Sequence, residues 1–244
     1  TYNHSMTKKM INQNSKFQKE LINTVESEFI FSNKPINRFK IIENQKNNQI
    51  IDKKEQIIQL KNKLNSIEDC VLRKNSKNLI LGEGNLNSPI MLIGEAPGSE
   101  EDKSGLSFKG ETGDLLDKML STINIRRQNI YLCYAINFRP PEDRKPTSQE
   151  IKRYSTYLKE HISIIDPKII ILMGSTAMEA VTSITNKISA ERGSWKETII
   201  ENKTYPLIIT FNPSYLVRFP ENKKHSWEDL KKLRQKIKDL KLKI

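Results

Sequence analysis

The chain has 244 residues and a formal net charge of +12, from 41 lysines and arginines against 29 aspartates and glutamates. This length allows one domain with an appendage or two small domains. The sequence shows no apolar run near the roughly 20 residues of a membrane span and no secretory signal at the start, and its 2 cysteines are too few for a disulfide framework or a four-cysteine metal site. We therefore expect a soluble, cytoplasmic protein.

The first 66 residues are predicted to form an extension ahead of a domain that spans 67–244. The segment 1–74 contains 11 asparagines and no glycine, a composition unlike that of the rest of the chain. Apolar residues recur at roughly helical spacing within 15–30 and 43–64, which indicates one or two amphipathic helices. We expect the extension to be helical or partly disordered.

The character of the sequence changes near residue 79, where apolar strands begin to alternate with helical patterns. The glycine-rich segment 82–85 is predicted to be a turn, and the apolar run 89–93 to be a buried strand. A helical pattern follows at 113–123. A second strand, at 130–136, leads into the proline-rich loop 139–146.

The second half of the domain continues the same alternation. Thr147 followed by Glu150 is a capping box, which predicts the start of a helix. Further elements are predicted as strands at 168–173 and 206–211 and as helices at 175–184 and 226–240. This alternation indicates an α/β fold with three α/β/α layers around a central, mostly parallel sheet of four strands.

Three loops of unusual composition follow strands of the predicted sheet. They are 94–98, with the sequence Gly-Glu-Ala-Pro-Gly, the proline-rich loop 139–146, and 212–214, with the sequence Asn-Pro-Ser. Loops that leave the carboxyl ends of parallel strands meet at one edge of a sheet, where ligands bind. We therefore expect these loops to form the functional site.

These loops and their neighbours resemble motifs of the uracil-DNA glycosylase superfamily, and within it the family-4 type. The similar segments are 94–102 (GEAPGSEED), 105–110 (GLSFKG), 113–117 (GDLLD), 139–147 (RPPEDRKPT) and 211–218 (FNPSYLVR). The resemblance implies a monomeric enzyme of base-excision repair that acts on uracil in single- or double-stranded DNA. Such an enzyme hydrolyses the N-glycosidic bond of deoxyuridine, releases uracil and leaves an abasic site.

The resemblance also implies roles for residues at the strand ends. A base within a duplex must be flipped into a pocket before its bond is cleaved. Glu95 would orient a water molecule near the sugar, and Asn212 would donate a hydrogen bond to the uracil carbonyl as negative charge develops. The residues implied in uracil binding are Gly94, Ala96, Phe108, which would stack on the base, and Tyr134.

Contacts with DNA are implied for the proline-rich loop and for the last loop. The implied residues are Arg139, Arg144, Pro213, Ser214, Tyr215, Leu216 and Arg218. Tyr215 or Leu216 would wedge into the space that the flipped base leaves. For Arg139 and Arg144 the alternative is a surface ion pair.

The positive charge lies at the two ends of the chain. Residues 1–74 have a net charge of +6 and residues 221–244 one of +5, whereas residues 75–220 have a net charge of +1. These basic flanks either attract phosphate or only reflect A/T-rich codons, since the chain is also rich in Asn and Ile.

Family-4 enzymes usually hold an iron–sulfur cluster on four cysteines, whose positions correspond here to Ile67, Cys70, Phe138 and Tyr154. Only one of the four is a cysteine, so the cluster cannot form with its usual ligands. Phe138 and Tyr154 instead indicate an apolar plug, as in a branch of the family that lacks the cluster. We expect no cofactor and no metal.

Two more positions depart from the family. Asn212 stands where most members have a histidine, although an amide can also donate a hydrogen bond. Tyr134 stands where members have an asparagine that distinguishes uracil from cytosine. This substitution leaves three alternatives: a changed base preference, a slower enzyme, or a catalytically weakened or inactive glycosylase-fold protein that binds DNA.

Other titratable residues match no catalytic position of the motifs. Glu101 and Asp102 are expected to be solvated or to cap a helix. His161 is expected to lie at the surface.

Overall fold

The computed structural model describes residues 52–244. The helix predicted at 15–30 lies outside the described residues, as does the first part of the segment 43–64. The rest of that segment forms helix α1 (Lys53–Asn65). Within the described residues no helix combines the length and the apolar character that crossing a membrane requires.

A six-stranded sheet forms the centre of the fold. Its strands are β1 (Gly82–Gly84), β2 (Ile90–Gly94), β3 (Tyr131–Tyr134), β4 (Ile169–Met173), β5 (Trp195–Ile200) and β6 (Lys203–Thr210). The order across the sheet is β1-β3-β2-β4-β6-β5. The strands β3, β2, β4 and β6 run parallel to one another, and both edge strands run antiparallel to their neighbours. The carboxyl ends of the four parallel strands therefore lie along one edge.

The predicted number of four strands is too low, because both antiparallel edge strands escaped prediction. Strand β1 falls on the glycines predicted to be a turn. A Cβ at Gly84 would lie 2.1 Å from the Ile130 carbonyl oxygen, so close pairing with β3 requires a glycine there. Strand β5 has only one buried residue, Ile200, and so lacks the apolar pattern that identifies a strand.

The helices of the described region connect the strands. After α1 they are α2 (Val71–Asn75), α3 (Ser99–Ser104), α4 (Gly110–Ser121), α5 (Ser148–Ile165), α6 (Ser175–Thr182), α7 (Ile188–Glu191), α8 (Pro213–Arg218) and α9 (Lys223–Asp239). The predicted capping box is confirmed at the start of α5, where Glu150 N donates to Thr147 Oγ1 and Thr147 N donates to the Glu150 carboxylate. Helices α3 and α8 are too short to show a helical period and were not predicted.

Helices cover both faces of the sheet, which confirms the predicted three-layer α/β/α arrangement. Side chains alternate along β2, so that Ile90 and Leu92 pack in the cluster with α4 and α9. Met91 and Ile93 pack in the opposite cluster with α5 and α6. Because both faces are covered, all five residues of β2 are buried.

A third apolar cluster joins α1 to α5. It contains Leu60 and Leu64 of α1 together with Cys70, Phe138 and Tyr154. The Phe138 and Tyr154 rings meet edge to face with centroids 6.4 Å apart. The Cys70 sulfur lies 3.2 Å from the Tyr154 hydroxyl, so the polar atoms of this cluster satisfy each other.

Candidate active site

The loops after β2 and β6 bring a carboxylate and an amide together over the end of β4. Glu95 follows β2, Asn212 lies two residues after β6, and Gly174 directly follows β4, which lies between those strands. A Cβ atom at Gly174 would lie 3.6 Å from Glu95 Oε2 and 3.6 Å from Asn212 Nδ2. Both side chains therefore border the space that the missing Gly174 side chain leaves open.

The amide of Asn212 is oriented by the helix that it begins. Asn212 caps α8, and its Oδ1 accepts a hydrogen bond from Ser214 N at 3.1 Å. Because the cap holds the oxygen, Nδ2 points away from the helix and borders the space over Gly174. Within the described residues Nδ2 makes no hydrogen bond, so its two N–H groups are available to a ligand.

Glu95 has a fixed backbone and a free carboxylate. Gly94 O accepts a hydrogen bond from Ala135 N at 2.9 Å, and Glu95 O accepts one from Ile136 N at 3.1 Å, which extends the pairing of β2 with β3. The carboxylate forms no ion pair or hydrogen bond with any other residue of the described region. Such a positioned carboxylate can orient water or stabilise a nearby positive charge.

Two aromatic rings lie over the end of β2. Phe108 and Tyr134 are stacked, with ring centroids 4.6 Å apart and planes inclined by 25°. A Cβ atom at Gly94 would lie 2.7 Å from Phe108 Cζ and 2.9 Å from Tyr134 Cδ1. The glycine that ends β2 therefore allows both rings to reach the edge of the sheet.

The backbone of Phe108 is held in an uncommon conformation by its neighbours. Its φ of 47° lies in the left-handed region. Arg127 donates to the Phe108 carbonyl at 2.9 Å and to the Ser107 carbonyl, and it forms an ion pair with Glu83 at 2.6 Å. Gly113 approaches the same Phe108 carbonyl so closely that a Cβ would lie 1.9 Å from the oxygen. These contacts hold the Phe108 backbone, and with it the position of the ring.

Glu101 is buried and connects the loop after β2 to the aromatic pair. Its carboxylate accepts hydrogen bonds from Gly98 N at 2.9 Å and Lys109 N at 2.8 Å, so the predicted capping role is confirmed. The Tyr134 hydroxyl oxygen accepts a hydrogen bond from Phe108 N at 2.7 Å. Burial and then the Glu101 charge raise the pKa of Tyr134 well above its ordinary value, so the hydroxyl keeps its proton.

These groups line a cavity of about 280 Å³. The predicted site residues around it are Glu95, Ala96, Phe108, Tyr134, Arg144, Asn212, Ser214 and Arg218. A second cavity, of about 340 Å³, adjoins the first, since Glu95, Asp143, Asn212, Ser214 and Arg218 line both. The structure thus brings the three loops together, as the strand-end argument predicts.

The two arginines of the proline-rich loop form ion pairs within the chain. Arg139 binds Asp143 through Nε and Nη2 at 2.7 and 2.9 Å. Arg144 binds Glu150 through both Nη atoms at 2.9 and 2.7 Å, and these bonds lower the pKa of that carboxyl to about 2. Arg144 lines the first cavity, and Arg139 lines neither. The ion pairs are therefore the arrangement of the DNA-free chain.

The predicted DNA-binding residues of α8 divide into cavity-lining and buried ones. Ser214 and Arg218 line both cavities, and Tyr215 lines the second. Pro213 is buried, and Leu216 is 0% exposed within the core. In this conformation Leu216 has no surface with which to wedge into DNA, and it anchors α8 instead.

A row of stacked side chains supports the loop around Asn212. The Arg192 guanidinium lies 5.5 Å from the centre of the Phe211 ring, Phe211 stacks on Tyr215 at 5.0 Å, and Tyr215 lies 4.9 Å from Phe219. Arg192 also forms an ion pair with Asp229 of α9. The loop is thereby fixed to α9, and Phe219 forms the exposed end of the row.

Several residues that line the cavities were not predicted as site residues, and Gly174 and Lys145 are two of them. Gly174 has a φ of 98°. Its position directly after an all-apolar strand is the feature of the sequence that could have identified it. Lys145 lines the second cavity and donates a hydrogen bond to Ser175 Oγ at 3.0 Å. Its position next to Arg144 is the feature of the sequence that could have identified it.

The expected surface position of His161 is wrong. The side chain is 1% exposed, and its Nε2 lies 2.9 Å from the Tyr131 hydroxyl. Burial lowers the pKa of His161 to about 3. The sequence did not predict this burial, because a single histidine in a helix has no pattern that distinguishes a buried from an exposed position.

The residues present do not fit a four-cysteine iron–sulfur cluster. Its expected positions, Ile67, Cys70, Phe138 and Tyr154, offer one thiol, and Cys133 is buried in a different apolar cluster. On its core side Cys70 packs in one apolar cluster with Phe138 and Tyr154. On its other side Cys70 and Ile67 line a cavity of about 470 Å³ whose remaining lining residues are charged and include no further cysteine. The described residues also contain no group of three or more His, Cys, Asp or Glu that could hold a metal ion.

The region that forms the fold and both cavities is similar to known proteins. The family model of the Uracil DNA glycosylase superfamily matches residues 81–234. A Type-4 uracil-DNA glycosylase of Thermotoga maritima is 38% identical over 172 residues, which are 69% of this chain and 88% of that protein. Proteins of the same description are 35% identical in Sulfurisphaera tokodaii (72% of this chain, 82% of that protein) and 31% identical in Archaeoglobus fulgidus (69% and 86%).

Proposed function

The chain belongs to the uracil DNA glycosylase superfamily, and from this premise we propose that it is a DNA-repair hydrolase that releases uracil from DNA. The reaction cleaves the N-glycosidic bond of deoxyuridine and leaves an abasic site. The observation that supports it most directly is that two groups on either side of Gly174, Glu95 Oε2 and Asn212 Nδ2, have no partner among residues 52–244. They border a cavity that two aromatic rings also line.

The two groups suit the two charges that develop in this reaction. When the bond between N1 of uracil and C1′ of the sugar breaks, its electron pair goes to the base and positive charge develops on the sugar. A donor such as Asn212 Nδ2 stabilises the anionic base through its carbonyl oxygen. The Glu95 carboxylate stabilises the sugar cation and orients the water whose oxygen bonds to C1′. That water gives up a proton through Glu95, and the departing base takes up a proton.

Contacts to the DNA strand are assigned to the groups around the cavities. Arg144 and Arg218 provide positive charge at the first cavity, and Lys145 provides it at the second. Arg144 exchanges the Glu150 carboxylate for a phosphate oxygen when DNA binds. The Ser214 hydroxyl, which lines both cavities, provides a further donor, while Pro213 and Leu216 contribute by holding α8 in place.

The proposed enzyme is monomeric, cytoplasmic and free of an iron–sulfur cluster. The apolar packing of Phe138 and Tyr154 around Cys70 supports the last point, because it replaces the structural contribution of a cluster with side-chain contacts. The proposed chemistry uses side chains of the chain alone.

The function is tested by incubating the full chain with an oligonucleotide that contains one uracil, in single-stranded and in duplex form. The expected result is release of free uracil and an alkali-labile abasic site, with and without a metal chelator. An otherwise identical oligonucleotide with thymine is the matched control. Absence of uracil release from both forms at excess enzyme contradicts the proposal.

A DNA-binding protein with weakened chemistry is the second candidate. The observation that favours it is the position of Tyr134, whose ring covers Phe108 where a base would stack. This candidate predicts binding that weakens steeply with salt, because phosphate contacts release counterions, but no product. The uracil-release assay, read beside a binding measurement, separates the two candidates.

A further inference from the structure

Tyr134 makes the contacts that a flipped base would need. Its ring is stacked on Phe108 at 4.6 Å, which is the contact that an aromatic plate offers to a base. Its hydroxyl oxygen accepts from Phe108 N at 2.7 Å, where a carbonyl oxygen at the edge of a base ring would accept. The Tyr134 side chain therefore occupies both the stacking surface of Phe108 and the backbone N–H donor of Phe108.

The site around Tyr134 is closed on its other sides. Gly94 lies against both rings, and a single added carbon there would be under 3.0 Å from each. Glu101 lies beside this space, because it lines the same cavity as Tyr134 and its buried carboxylate is held by the Gly98 and Lys109 amides. The space that Tyr134 occupies is therefore shaped for one six-membered ring with an acceptor at its edge.

A base cannot occupy this space together with Tyr134. The Tyr134 side chain is 4% exposed and also lines the cavity that contains Glu95 and Asn212. Rotation of the ring toward the cavity would uncover Phe108 and its N–H group.

We propose that Tyr134 is a specificity-determining residue that fills the base subsite of the DNA-free protein and gives way to a single-ring base with a carbonyl acceptor. This inference rests on the proposed function, since it names the base that the site admits. Pyrimidines such as uracil match the vacated space in size and in the acceptor at the ring edge. Purines, which have a second ring, do not.

The inference is tested with Tyr134→Ala, which removes the ring, and Tyr134→Phe, which keeps the ring and loses its hydrogen bonds. Because the native ring occupies the subsite, the apparent affinity for substrate equals the intrinsic affinity multiplied by the fraction of time that the subsite is open. We expect Tyr134→Ala to raise kcat/KM for uracil release by about tenfold or more, and Tyr134→Phe to raise it less. Hypoxanthine release stays undetectable in both variants.

Chemical complementation provides the matched control. 4-Methylphenol, which reproduces the tyrosine side chain, is expected to inhibit Tyr134→Ala competitively and to leave the wild-type protein unaffected. Equal or lower kcat/KM in a Tyr134→Ala protein that unfolds at the wild-type temperature overturns the inference. So does a lack of inhibition by 4-methylphenol, or hypoxanthine release as fast as uracil release.

A direct binding measurement separates this inference from the proposed function. Free uracil and 4-methylphenol are titrated into DNA-free Tyr134→Ala and Tyr134→Phe and followed by NMR. Competition between the two compounds for one site in Tyr134→Ala, with weaker uracil binding in Tyr134→Phe than in Tyr134→Ala, supports the inference even if no variant releases uracil. If Tyr134→Ala is unfolded, uracil binding is compared between Tyr134→Phe and the wild type. The inference is overturned if Tyr134→Phe binds uracil no more tightly than the wild type does.

Discussion

Asn212 performs two tasks with one amide group, and the two can be separated. Its Oδ1 caps α8 by accepting from Ser214 N, and its Nδ2 borders the space shared with Glu95. A histidine in this place would provide a ring N–H donor without the same short cap. The asparagine therefore preserves a donor at this position while it also stabilises the helix that follows.

Replacing Asn212 with Ser or Ala distinguishes the donor from the cap. Serine caps helices about as well as asparagine but has no amide donor of the same reach, so Asn212→Ser should lower the rate of uracil release about 100-fold or more at nearly unchanged stability. Asn212→Ala should lose a similar factor in rate and also about 1 kcal/mol of stability. Single-turnover kinetics and denaturant unfolding measure the two effects. A wild-type rate in either variant would exclude the donor role.

His161 makes the stability of the fold sensitive to acid. Its pKa is about 3 in the folded chain, against about 6.5 when unfolded, because the buried ring is neutral beside Tyr131. Protonation therefore favours the unfolded chain, and stability is lost as the pH falls from 6.5 toward 3. The loss between pH 7 and pH 5 should be about 2 kcal/mol for this one group.

His161→Gln is the matched variant, since glutamine keeps a polar group near Tyr131 and does not titrate. Urea unfolding at pH 7 and pH 5 should show that the wild-type chain loses about 2 kcal/mol more stability than this variant. Parallel losses in the two proteins would show that His161 is not the source of the acid sensitivity.

At the scale of the elements, the ends of the parallel strands determine where the site forms. Gly94 ends β2 beneath two rings, and Gly174 follows β4 between Glu95 and Asn212. Gly174 has φ 98° and ψ 168°, a backbone conformation that is essentially restricted to glycine. The sheet thus provides both positions, and the absence of side chains there leaves room for the site.

Gly174→Ala tests this arrangement, with Gly105→Ala as its control. Both glycines have positive φ, but a Cβ at Gly174 would lie 3.3 Å from Asn212 Cβ, whereas at Gly105 the nearest atom is 3.8 Å away, on Asn78. Both changes should destabilise the fold by about 1–3 kcal/mol. Only Gly174→Ala should also slow uracil release, by up to about 100-fold, because it displaces Asn212. Equal rates in the two variants would contradict the arrangement.

The elements that could be predicted from sequence are those whose signals are local. Burial and capping require particular residue types, so they leave patterns that can be found in the sequence. Such patterns predict the apolar strands β2, β4 and β6 and the capping box of Thr147 and Glu150. The edge strands β1 and β5 could not be found, since an exposed strand needs no apolar pattern. The burial of Leu216 depends on how α8 packs on α4 and α9, which only the tertiary structure determines.

The candidate site shows the same division. Motifs around Glu95, Phe108 and Asn212 make them candidates in the sequence, and the structure places all three around one cavity. The stacking of Tyr134 on Phe108, on which the proposed closure of the base subsite rests, could not be predicted, because it depends on a hydrogen bond from Phe108 N to the Tyr134 hydroxyl. Side chains that act through packing have no signature of their own in one sequence.

At the scale of the whole molecule, the positive charge and the chemistry are located in different parts of the chain. The net charge of +12 is concentrated outside 75–220, the segment that contains both cavities and has a net charge of +1. The inference to DNA therefore comes from the strand-end residues rather than from overall charge. Helix α9, which packs behind the site, carries much of the basic character of the C-terminal segment.

The central claim is that Glu95 and Asn212 form the catalytic pair of a uracil-releasing enzyme. The most direct test is the single-turnover rate of uracil release by Glu95→Gln, compared with the wild type and with Glu100→Gln. Glu100 is an exposed carboxylate close by in the chain that pairs with Lys103 at 3.2 Å, so its loss matches the change in charge. We predict a rate at least about 100-fold below wild type for Glu95→Gln and a wild-type rate for Glu100→Gln. A Glu95→Gln protein that releases uracil at the wild-type rate would contradict the claim.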